Sequence, residues 1–70
     1  MTRKSKIVVL SDYTFSASTA QRRAYGAREV TLFVLCHRDD LRDESKWLHI
    51  NGYGATLRER EADAIRRSGL

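Results

Sequence analysis

Arginine and glycine are the residues of this chain whose types and placement suit chemistry, and that chemistry is anion recognition. Arg22, Arg23 and Arg28 surround Tyr25, and Lys4 and Lys6 follow Arg3 at the amino end. Ten arginines stand against three lysines. The planar guanidinium presents paired donors that match a phosphate or carboxylate in two-point contact. A second candidate is the junction Asn51-Gly52-Tyr53-Gly54-Ala55-Thr56, which leads into Leu57-Arg58-Glu59. Glycines such as Gly52 and Gly54 let backbone N–H groups approach an anion, a helix start favours negative charge, and Arg58 adds a side chain. Thr56 and Glu59 also have the spacing of a capping box, and the stronger expectation is therefore a turn whose helix N–H groups are already satisfied. Leu57 stands where a dinucleotide fingerprint needs its third glycine, and no Gly-Lys-Ser/Thr phosphate loop occurs.

Other constellations are weaker. Cys36, His37 and His49 are the soft metal ligands, but neighbours on a strand point to opposite faces, so Cys36 and His37 do not converge and no metal or other cofactor is expected. Cys36 reads as a core thiol. No serine sits in a nucleophile elbow, and the chain is expected not to be an enzyme. The acids Asp39, Asp40, Asp43 and Glu44 lack the alternation and glycine of a calcium loop. They read as a solvated surface able to steer a basic protein partner.

Two family resemblances are local. Gly52-Tyr53-Gly54 resembles the core of the longer RNA-contacting motif of RNA-recognition-motif domains, and Leu32-Phe33-Val34 resembles the start of the shorter one. The resemblance implies bases stacked on a sheet. Asn51 stands where that family has a basic residue, and Ala55 and Arg58 stand where it has aromatics. Val8-Val9-Leu10-Ser11-Asp12 resembles the first strand of calcineurin-like metallophosphoesterases, with Thr14 in place of the expected histidine ligand.

The elements that must position these residues follow from composition and periodicity. Seventy residues with 41% hydrophobic and 31% charged side chains and no proline make one small folded domain, with residues 1–5 expected as a basic tail. A chain of this size buries only about 60% of the surface it exposes when extended, which disfavours a deep catalytic cavity. No apolar run approaches the ~20 residues of a membrane span, and the run after Lys6 is too short for a secretory signal. The expectation is a cytoplasmic protein that does not associate with membranes.

Lys6–Phe15 opens with Ile7-Val8-Val9-Leu10 and then alternates, with Ser11, Tyr13 and Phe15 on one side and Asp12 and Thr14 on the other. Val30–Cys36 is apolar on both sides of the pleat and reads as a central strand covered on both faces. Between them, Ser and Thr residues and Gly26 frame a short helix over 19–25. The charged connector 38–46 holds at most one helical turn capped by Asp39 or Asp40. Trp47–Ile50 reads as a strand ended by Asn51-Gly52, in competition with a helix over 41–50. Thr56 opens a helix whose Leu57, Ala64 and Ile65, with Leu70 beyond, rest on the sheet. The expected fold is α+β: a single-layer antiparallel or mixed sheet of two to three strands (about 6–15, 28–37 and 47–51) packed by a helix over about 56–68.

Charge divides unevenly along these elements. Residues 1–28 carry six basic groups and one acid, 29–46 three and five, and 47–70 four and three. The leading expectation is a binding or regulatory protein whose basic face, built from Lys4, Lys6, Arg22, Arg23, Tyr25 and Arg28, docks on nucleic acid or a nucleoprotein. The alternative is a protein-interaction module, such as a phage or mobile-element inhibitor of a host protein, using Asp39, Asp40, Asp43, Glu44, Trp47 and Tyr53. A homodimer through a strand edge is compatible with both.

Overall fold

The computed structural model describes residues 6–70. Strand β1 (Ile7–Ser16), helix α1 (Thr19–Tyr25), strand β2 (Glu29–His37), strand β3 (Leu48–Tyr53) and helix α2 (Leu57–Ser68) follow in chain order. The strands form one antiparallel sheet in the order β1-β2-β3, so the expected α+β architecture is present with its strands antiparallel throughout. The expected amino-terminal tail, Lys4 included, lies outside the described residues.

The pleat of β2 sorts the core. Thr31, Phe33 and Leu35 alternate onto the face that α2 covers, and all three are fully or almost fully buried. Phe33, Leu35 and Ala64 form the centre, with Ile7, Val9, Ile50, Ile65 and Leu70 packed around them. On the opposite face only the ends are closed. Val30, paired with Phe15 and Tyr53, and Cys36, paired with Val8, are buried, while Leu32 and Val34 between them are half-buried. Coverage of both faces along the whole strand, expected from its continuous apolarity, is therefore limited to those ends.

Both helices start on capping boxes. Ser18 accepts from the Gln21 N–H while the Gln21 side chain accepts from the Ser18 N–H, and Thr56 and Glu59 do the same for α2. Gly26 and Gly69 end them in the left-handed conformation, at φ 66° and 76°. In α2, Ala64, Ile65 and Leu70 pack as expected, but Leu57 is 46% exposed. Its place on the inner face is taken by Arg60 and Asp63, only 7% and 6% exposed.

Three further boundaries differ from expectation. A bulge between Val9 and Ser11 shifts the β1–β2 register, and it preserves the predicted alternation on its carboxyl side. The 38–46 connector forms two 3₁₀ turns, Arg38–Asp40 and Glu44–Lys46. Asp43 caps the second by accepting from the Ser45 N–H, and neither Asp39 nor Asp40 acts as a cap. The 48–53 segment is a strand as preferred, but it runs through Gly52 to Tyr53 instead of turning at Asn51-Gly52.

Gly52 is in the strand because α2 passes directly over it. A Cβ on Gly52 would overlap the backbone carbonyl of Arg60 and press on the Phe33 ring at 3.1 Å. Only hydrogen fits between strand and helix there. Gly52→Ala should force α2 off β3 and cost about 1–3 kcal/mol. Urea unfolding followed by circular dichroism should show a lowered midpoint with an unchanged m value.

Candidate nucleic-acid interface

The site is built at the end of the sheet where β1 leaves, β2 enters and α2 begins. A seven-residue helix such as α1 is marginal by itself. It is held by its capping box, by Gly26, and by Tyr53: the Tyr25 and Tyr53 rings stack at 3.8 Å between centroids, and Gln21 Nε2 donates to the Tyr53 hydroxyl at 3.4 Å. This stack sets the position of Arg22 and Arg23 in the last turn of α1, both exposed.

A cavity of about 640 Å³ opens beside this stack, lined by Tyr25, Gly26, Ala27, Arg28, Glu29, Gly54, Ala55 and Arg60. Arg60 is its fixed charge. Its Nε donates to Thr31 Oγ1 at 2.8 Å and its Nη1 to the Gly54 carbonyl at 2.9 Å. Its Nη2 lies 4.0 Å from the carboxylate of Glu29, which is 61% exposed. A solvated carboxylate at that distance compensates the guanidinium only in part, so Arg60 and Arg28 together give the cavity a basic wall.

Arg67 approaches the stack from α2, with its guanidinium carbon 4.8 Å from the Tyr25 centroid and 4.9 Å from that of Tyr53. A point almost equidistant from two stacked rings lies beside the gap between them rather than above either face. Arg67 therefore meets the ring rims, and Asp63, with Tyr25 adding to it, outweighs the opposing effect of burial and raises its already high pKa. Asp63 ties the group to the sheet: one oxygen accepts from the Tyr53 N–H at 2.9 Å and from Arg67 Nε at 2.7 Å, and the other from Arg66.

Burial opposes ionisation of Asp63, but Arg67, the Tyr53 N–H and Arg66 outweigh it and hold the carboxyl below the usual range. A lowered folded-state pKa stabilises the fold above the unfolded value of ~3.9, and that stability is lost as pH falls through the folded value. Asp63→Asn should cost about 1–3 kcal/mol at neutral pH. In urea titrations across acid pH, the wild-type advantage should shrink below pH ~4 and vanish once the carboxyl is protonated in both states.

The sequence-nominated residues separate into three groups. Tyr25, Arg28 and Gly54 line the cavity, and Arg22 and Arg23 precede it on α1. Gly54 contributes its carbonyl, as an acceptor for Arg60, and the capping box takes up three N–H groups at the helix start: Ala55 and Thr56 donate to Glu59 Oε1 at 3.0 and 3.2 Å, and Glu59 donates to Thr56 Oγ1 at 3.2 Å. The helix N-terminus is thus capped, as the stronger expectation held. Gly52 lies under α2, away from the cavity lining, and Arg58 lines a shallow depression with Leu57, Glu61, Ala62 and Ile65. Lys6 belongs to neither: its carbonyl accepts from the Arg38 N–H at 2.8 Å, at the other end of β1. The nine residues of β2 separate the two ends by roughly 30 Å.

At that far end stand Asp39, Asp40, Asp43 and Glu44. Trp47 joins them but spends its indole N–H on the Asp40 carbonyl at 3.2 Å, whereas Tyr53 is at the opposite end of β3 beside Tyr25. The acidic surface expected from these six residues therefore lacks one of its two aromatics. Cys36 is buried close by, and burial followed by Asp40 pushes its thiol pKa up. Among the described residues no group of three His, Cys, Asp or Glu side chains is placed to hold a metal ion. No helix among them is long and apolar enough to cross a membrane.

Arg60, Asp63 and Arg67 are the site residues that sequence reasoning missed. Their signal is the spacing Arg60, Asp63, Ala64, Arg67, which places one small residue and three charges on a single helical face. No family model, curated protein or solved structure matches this chain. The two segments resembling RNA-recognition motifs do lie on neighbouring strands, but Phe33 points into the core under α2 and is 1% exposed, so it offers no surface for a base.

Proposed function

We propose that the chain is a non-enzymatic binding protein that docks its basic end on the phosphate backbone of a nucleic acid. One observation carries the reading: Arg22, Arg23, Arg28 and the buried Arg60 gather around Tyr25 at one end of the sheet with Glu29 beside them, while at the other end Lys6, Arg38, Arg42 and Lys46 balance Asp39, Asp40, Asp43 and Glu44. This polarity orients the molecule toward a polyanion. Arg22, Arg23 and Arg28 supply phosphate contacts from flexible, exposed side chains. Arg60, fixed by Thr31 and Gly54, supplies a positioned charge that loses little freedom on binding. Contacts of this kind set orientation and affinity, not sequence preference.

The salt dependence of affinity tests the reading. Fluorescence anisotropy with a labelled random duplex and a labelled single strand should give log Kd rising linearly with log salt concentration. The triple variant Arg22→Ala/Arg23→Ala/Arg28→Ala should weaken binding by ~10-fold or more at low salt, and on the duplex should flatten the slope by about 0.9 for each phosphate that the variant no longer neutralises. Absence of binding to either probe at low ionic strength would refute the proposal.

A further inference from the structure

We infer that the chain self-associates by antiparallel pairing of β1 with the β1 of a second copy, in a register centred on Tyr13. The inference stands apart from nucleic-acid binding, because it rests on the sheet edge alone. β1 and β3 are the two edges, and they are treated differently. Asp63 reaches the rim of β3 and accepts from the Tyr53 N–H, so α2, which packs on β3, occupies the carboxyl end of that edge. Among the described residues no helix packs along β1, which at ten residues is the longest strand.

Its outward groups can be identified. The Ala17 N–H donates to the Arg28 carbonyl at 2.9 Å, which makes that pair a hydrogen-bonded one. Alternation along the ladder then turns the N–H and C=O of Ser16, Thr14 and Asp12 away from β2. The 2.8 Å contact between the Thr14 and Thr31 hydroxyls fits this, since side chains approach most closely in the non-hydrogen-bonded pairs. Natural edges are blunted by proline, lysine, inward charge or bulges. From Ser11 to Ser16 the strand has none of these except Asp12, and the bulge lies before it.

Charge and symmetry select the register. Outward residues must face outward residues, so the two-fold axis falls on a residue, and Phe15 and Ser16 lie too near the strand end to hold it, which leaves Asp12, Tyr13 and Thr14. Placing it at Asp12 sets two carboxylates directly opposite each other, which is destabilising. Placing it at Thr14 shortens the overlap, because the chain leaves the strand after Ser16. With the axis at Tyr13, Asp12 faces the hydroxyl of Thr14 of the partner subunit, and this pair occurs twice. The two Tyr13 rings then meet across the axis. Tyr13 is 67% exposed, more than any other large hydrophobic side chain described, and it stacks on Phe15 at 5.9 Å. Pairing would cover it and continue the aromatic row into the second copy. A chain with so limited a core gains stability from such closure.

Thr14→Pro removes an outward N–H that no bond within the chain uses, and Pro is tolerated on that side of an edge strand. In sedimentation equilibrium the wild type should show a concentration-dependent dimer, and Thr14→Pro, with its fold checked by circular dichroism, should remain monomeric. Tyr13→Cys gives a second reading that needs no proline. Cysteines directly opposite in a non-hydrogen-bonded pair lie within disulfide reach, so mild oxidation should yield a covalent dimer, whereas Asp12→Cys should yield little. Native Cys36 is buried and does not compete. A wild type that stays monomeric at all concentrations would overturn the inference. So would a dimer that Thr14→Pro retains and Tyr13→Cys fails to cross-link.

Discussion

The fold and its candidate site both depend on one buried guanidinium. Arg60 lies on the face of α2 that meets the sheet, where an ionised group without partners would be strongly destabilising. It is tolerated because Thr31 takes Nε, the Gly54 carbonyl takes Nη1 and Glu29 stands near Nη2. These three partners come from both ends of the site: the start of β2 and the turn after β3. The helix can lie close enough for those bonds only because Gly52 has no side chain beneath the Arg60 carbonyl. The clasp that docks α2 is also the wall of the cavity, so a substitution at Arg60 alters helix packing and cavity together.

A second arrangement builds on the first. Asp63, one turn beyond Arg60, ties α2 to the rim of β3 through Tyr53, and the Tyr53 ring carries α1 through Tyr25. A helix too short to be stable alone is thereby placed beside the Arg60 cavity with its arginines outward. The path from sequence to function runs through polar contacts that a purely apolar description of the core would miss. Charge along the chain maps onto the molecule only in part: β2 carries Arg28 at one terminus and the connector at the other, but β1 returns Lys6 to the connector's end and Glu29 stands at the basic one.

Much of this was legible in the residues. β-branched runs and glycine positions mark two strands and two helices, with the third strand in competition with a helix, and the Thr56-Glu59 capping box appears where its spacing places it; for the first helix the sequence offers a Ser or Thr cap, and the structure makes it a full Ser18-Gln21 box. The inner face of α2 was not legible. Arg60 and Asp63 look like solvent-facing charges until their partners, distant in sequence, are known, and Leu57 looks like core although it lies at a helix start beyond the sheet. Lys6 was grouped with Arg22 and Arg23 because charge counting follows the chain, whereas the ten residues of β1 carry them to opposite ends. The extension of β3 through Gly52 was hidden for a related reason. Glycine there serves a close approach between backbones, while the same residue in sequence reads as a turn.

The central claim is that the polarised basic end, rather than the acidic connector, meets a nucleic-acid partner. Amide chemical-shift mapping of the ¹⁵N-labelled chain during titration with a short oligonucleotide tests it most directly. The account predicts that perturbations concentrate at residues 22–29 and 54–55, with the Arg60 side-chain Nε–H shifting alongside them. Perturbations confined to residues 38–47, or none at saturating oligonucleotide, would contradict it.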